Sequence, residues 1–131
     1  MIKQVFDVDK YWKVIVFYSL DYNFFDNVAL ELIRINYSEA AIEEVYDNLR
    51  FKGAKAVTCS SPHQHTSIIL FNYHKSKLDY INSIVHEAEH VKQAMLFAYE
   101  VEDKGEPPAY TIGYIVERMW EVVGKKLLDC F

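Results

Sequence analysis

The chain has 131 residues, of which 51% are hydrophobic and 25% charged, and its net charge is −5. Such a composition suits one globular domain with its own core, residues 1–131, and is too apolar for a disordered chain. A negative total with scattered basic residues argues against nucleic acid, and no apolar run approaches the roughly 20 residues that cross a bilayer. The start, Met1-Ile2-Lys3-Gln4, lacks the layout of a signal peptide, and Cys59 and Cys130 make no disulfide framework. A reducing, cytoplasmic setting is the expectation.

Residues 11–20 (Tyr-Trp-Lys-Val-Ile-Val-Phe-Tyr-Ser-Leu) are β-branched and aromatic and predict a buried strand. Residues 26–36 and 38–52 predict two helices; in the second, Ile42, Val45, Tyr46 and Leu49 form an apolar stripe that Gly53 ends. Residues 55–59 and 66–73 predict strands, joined by a turn through Ser60-Ser61-Pro62. A long helix follows, with apolar residues at Leu78, Ile81, Ile84, Val85, Ala88, Val91, Ala94, Met95 and Ala98. Ser76 and Asp79 suit its start, and a break at 103–108 separates it from a final helix to about Leu128. The order β-α-α-β-β-α-α predicts an α+β domain, a small mixed sheet packed against the last two helices.

The chemistry is concentrated in His86-Glu87-Ala88-Glu89-His90, in the middle of that long helix. Residues four apart share a helix face, so both imidazoles can converge on one Zn²⁺ at about 2.0–2.1 Å each. Glu87 then stands beside the metal, where a general base takes a proton from water at the open position. A third ligand is needed. Glu100 and Glu102 continue the motif helix and would lie roughly 15–18 Å past His90. Glu106 follows the Gly105 break and precedes Pro107, a residue that suits the first turn of a helix. Glu106 is therefore the expected third ligand, with Glu117 behind it.

His-Glu-x-x-His followed after a turn by a glutamate resembles the gluzincins, zincin metallopeptidases with glutamate as third ligand. Residues 105–115 are also similar to a Glu-x-x-Ala-Tyr-x-x-Gly-Tyr stretch of small single-domain gluzincin-like proteins from phages and mobile elements of gut Bacteroidetes. The resemblance covers roughly residues 53–117 and extends upstream through Ala56-Val57-Thr58 and Thr66-Ser67-Ile68-Ile69. It implies a minimal zincin-like domain, phage-encoded or in a bacterial host, that hydrolyses peptide bonds with Zn²⁺ as cofactor and a peptide or protein as substrate. Thermolysin-like gluzincins carry an acidic residue four positions after the third ligand; Tyr110 stands there instead.

The zincin architecture lays substrate along an edge strand before the motif helix. It would let His65, in the loop before residues 66–73, stabilise the developing oxyanion, with the hydroxyl of Tyr110 or Tyr114 as a further donor. Asn82, Glu89 and Gln93 flank the histidine face by helical phase. The alternative function is a catalytically inactive zincin-fold binding or accessory protein of a phage or mobile element. So small a chain leaves little material for a second lobe, which leaves room for a homodimer or a partner protein.

Overall fold

The structure, a computed structural model, describes residues 1–127. Four strands form one mixed sheet: β1 (Ile2–Asp7), β2 (Lys13–Tyr18), β3 (Ala56–Ser61) and β4 (Thr66–Phe71), in the order β1-β2-β4-β3. β1 pairs antiparallel with β2, β2 parallel with β4, and β4 antiparallel with β3. Helices cover both faces, which is why β2 and β4 read as continuous apolar runs rather than alternating ones. All six residues of β4 are buried, as are Val14–Tyr18 of β2.

The period of two divides the strands between two cores. Ile15, Phe17, Ile68 and Leu70 face α1 (Phe25–Arg34) and α2 (Glu39–Arg50), meeting Val28, Leu32, Val45 and Leu49. Val14, Val16, Ile69 and Phe71 face α3 (Lys77–Tyr99) and α4 (Glu106–Val122), meeting Ile84, Ala88, Val91, Ile115 and Met119. The expected α+β domain, with its mixed sheet against the motif helix and a last helix, is thus observed.

Several boundaries differ from expectation. β1 was not anticipated, because Val5 points outward between Lys3 and Asp7 while the polar Gln4 falls on the inward side, so its apolar residues do not share one face. β3 runs on through Ser60 and Ser61, and the turn falls at residues 62–65, closed by His65 in a left-handed conformation with φ of 46°. Ser60 stays in the strand because its hydroxyl pairs with that of Ser67 at 2.7 Å, and Ser67 in turn accepts from the buried Trp12 indole at 3.1 Å.

α3 is capped by the Ser76 hydroxyl accepting from the Asp79 amide, as the sequence suggests, and it ends at Tyr99. Glu100 is its left-handed cap rather than a continuation, and Glu102 lies in the connecting loop. α4 closes in a π-helical turn, Val123–Leu127; Leu128, the expected end of the last helix, and Cys130 lie outside the described residues. Among the described residues no helix is long and apolar enough to cross a membrane.

Ile69 is fully buried at the centre of β4, beneath α3. Ile69→Ala should lower unfolding free energy by about 2–5 kcal/mol, read as a shifted urea midpoint with unchanged slope.

Candidate metal centre on the edge-facing flank of α3

The phase of α3 decides what each motif residue meets. Ile84, Ala88, Val91 and Met95 are buried on the sheet and set the helix's inner face. At about 100° per residue, Glu87 lies roughly 60° from Ile84 on one flank, while His86 and His90 lie roughly 120–160° away, turned to solvent. The flank that carries Glu87 is the one over β3, at the edge of the sheet. There the Thr58 hydroxyl donates to Glu87 Oε1 at 3.0 Å. The carboxylate is 5% exposed, although the imidazole beside it is open to solvent.

The two rings converge. His86 Nε2 and His90 Nε2 are 3.2 Å apart, and the free oxygen of Glu87, Oε2, is 3.9 Å from His86 Nε2. Two nitrogens each at 2.0–2.1 Å from a tetrahedral ion are separated by roughly 3.3 Å, so the pair is spaced to share one cation. A buried carboxylate is costly unless paired. Glu87 has one hydroxyl and a neighbouring imidazole, and a divalent cation on the two rings would supply the missing positive charge. The two imidazoles are thus spaced as a pair of metal donors, with the Glu87 carboxylate beside them rather than between them.

A cleft of about 240 Å³ opens beside this group, lined by Lys55, Ala56, Asn82, Ser83, His86 and Glu87. The Asn72 amide donates to the Lys55 carbonyl at 3.0 Å, so Lys55, Val57 and Cys59 point their backbone groups inward to β4. By the alternation of antiparallel ladders, the amides and carbonyls of Ala56, Thr58 and Ser60 then face the open edge. The Ser60 carbonyl accepts from the Tyr37 hydroxyl at 3.4 Å, which leaves Ala56 and Thr58 as the open part.

Glu106 does not join the histidines, and among the described residues no cluster of three or more His, Cys, Asp or Glu side chains is spaced to hold a metal. The reason is again helical phase. Lys92 bonds Glu89 at 2.8 Å and Asp103 at 2.9 Å, which clasps the α3–α4 loop to the flank that carries Lys92. Lys92 is two residues, roughly 200°, from His90, on the other side of the helix. Glu106 itself is nine residues from the buried Ile115, half a turn out of phase with it, and faces solvent at the start of α4. Glu117, the second choice, also lies on α4.

Tyr110 sits one turn after Glu106 and is 72% exposed, and the Tyr114 hydroxyl donates to the Asp7 carbonyl at 3.1 Å, tying α4 to β1. His65 stacks on Trp12 with centroids 5.5 Å apart and meets the edge of Tyr99, at the far end of α3, nine residues and roughly 13 Å beyond His90. Its expected role beside the motif does not survive this placement. The strand after it, β4, is central, so the edge strand beside the motif is β3. Of the flanking residues, Gln93 donates to Glu89 at 3.2 Å on the outer surface, and Asn82 lines the cleft.

The sequence reading missed Thr58, whose hydroxyl holds the motif carboxylate, and a buried pair behind the cleft. His74 Nδ1 lies 2.7 Å from the Asn72 carbonyl, which can only accept, so Nδ1 carries the proton. Nε2 therefore accepts from the Ser83 hydroxyl, also at 2.7 Å. Burial is the main cause that pushes the His74 ring below its ordinary value of 6.5. Cys59 faces α1 and α2 on the opposite side of the sheet, and burial pushes its thiol up to about 12, which removes it from nucleophilic chemistry at neutral pH.

No family model matches the chain, and no match emerges among curated proteins or solved structures.

A depressed His74 pKa means that the unfolded chain takes up more protons than the folded one as pH falls through 6.5. The stability that the neutral ring contributes is complete above 6.5 and lost as pH falls toward the folded value. Urea midpoints should decline on that side, and His74→Gln should flatten the decline.

Proposed function

We propose that this chain is a zinc-dependent metallopeptidase in which His86 and His90 hold the metal and Glu87 is the general base. What carries the reading is the pair of Nε2 atoms 3.2 Å apart beside a buried carboxylate whose second oxygen faces His86. Zinc bound there would act as a Lewis acid, lowering the pKa of its water toward neutrality and polarising a peptide carbonyl. Thr58 fixes Oε1, so Oε2 is the oxygen free to take the proton from water and return it to the leaving amine.

Lys55, ion-paired with Asp79 at 3.3 Å, gives the cleft its cation, a partner for the carbonyl oxygen as charge develops there. An extended peptide can add to the open edge at Ala56 and Thr58, which selects backbone rather than side chains and implies broad specificity. The gluzincin resemblance carries over to His86, Glu87 and His90. Glu106 stands apart from it, and water or substrate would complete the coordination.

A second reading is a metal-holding accessory protein without hydrolysis. The placement of His65 and Tyr110 away from the motif favours it, because both expected partners of a reacting carbonyl are elsewhere.

Protein loaded with zinc should bind about one ion per chain, and His90→Ala should weaken that binding by orders of magnitude. Glu106→Ala should leave it unchanged. Glu87→Gln should keep the metal and abolish peptide cleavage; loss of metal instead would make Glu87 a ligand. Metal binding with no cleavage by the wild type would select the accessory reading, and wild-type protein that takes up no zinc would refute both.

Replacing the hydroxyl that holds the carboxylate tests the role of Thr58. Thr58→Val should cost about 1–3 kcal/mol of stability in the absence of zinc, because a buried acceptor is left unpaired, and added zinc should recover part of the loss.

A further inference from the structure

The opposite layer of the molecule carries a groove that the metal reading leaves unused. It runs between α1 and α2, encloses about 440 Å³, and has Phe25, Ile33 and Ile42 in its floor. Ile33 is 55% exposed, although its neighbour Leu32 is fully buried. α1 therefore presents two apolar surfaces, one on the sheet through Val28 and Leu32 and one to the groove.

Three carboxylates, Asp26, Glu39 and Glu43, rim that floor. Asp26 and Glu39 lie in the first turns of their helices, where the macrodipole favours an acid; Glu43 is a turn further on and has no such reason. Three cations of this layer are held by other groups, Arg50 among them on Tyr46 in the groove wall. Arg34 and Lys3 both bond Glu31, at 2.6 and 3.3 Å, and the Arg50 guanidinium lies 5.3–5.5 Å from the ring centres of Tyr22, Tyr46 and Phe51. Among the described residues none of the three rim carboxylates forms an ion pair.

We propose that this groove docks a basic amphipathic helix from another protein, with its apolar face on Phe25, Ile33 and Ile42 and its lysines or arginines against the rim. An apolar slot of this volume suits the spaced anchors of one helix face. The unpaired carboxylates at its edge supply charge complementarity, which sets orientation and speeds encounter.

The test uses a synthetic helical peptide of leucine and lysine with leucines on one face, and a control of equal composition with the leucines dispersed around the helix. Backbone amide shifts of the full chain should move in α1 and α2 on adding the first peptide and hardly at all with the control. Ile33→Asp should weaken binding at least tenfold. Glu39→Gln with Glu43→Gln should weaken it about fivefold at low salt, the difference fading as salt screens the rim. Circular dichroism checks that Ile33→Asp folds; should it fail, the exposed double variant decides alone. Equal binding of the control, shifts spread over the acids of α3 and α4, or an unaffected double variant would overturn the proposal.

Discussion

A helix laid on a sheet can bury only one stripe, and α3 is where that constraint shapes the molecule. Its inner face, from Tyr80 to Met95, closes the core over β4. One flank then has to face β3, the other has to face the loop into α4, and only the outer face remains for solvent. The motif is distributed accordingly. Glu87 falls on the strand side and meets Thr58, Lys92 falls on the loop side and meets Asp103, and the histidines fall outside. A shift of α3 by one residue would bury the imidazoles in one direction and expose the carboxylate in the other, and either would undo the centre without altering its sequence.

That same constraint separates what sequence shows from what it hides. The spacing of His86 and His90 is a local property of one helix, so it was legible, as were the Ser76 cap and the apolar stripe of α3. The central strands were legible because burial on both faces leaves uninterrupted runs of Val, Ile, Leu and Phe. Glu106 was not legible because distance along the helix axis permits it, whereas the flank that the returning loop takes excludes it. Lys92 and Asp103 decide the flank, and a pairing between a helix and a loop eleven residues on has no periodic signature. Thr58 was hidden for a related reason: its role depends on β3 being the edge strand, and strand order is a matter of topology. His65 was misjudged by the same error, since β4 was read as an edge and lies at the centre.

The two faces of the sheet are also electrostatically different. On the α3 side Lys92 is matched by two carboxylates, and Glu87 has a hydroxyl and the His86 ring beside it. On the α1–α2 side Glu31 gathers two cations to itself while the groove rim keeps its negative charge.

The parallel contact between β2 and β4 has a kinetic consequence. It joins residues 13–17 to residues 66–70, whereas β1–β2 and β3–β4 are hairpins between neighbours in the chain. Closing the central pair orders a loop of about fifty residues, an entropic cost that must be met before the core rewards it. Each hairpin can form by itself, but neither has a covered face until the other arrives. The meeting of the two ribbons therefore carries the largest loop-closure cost in the sheet.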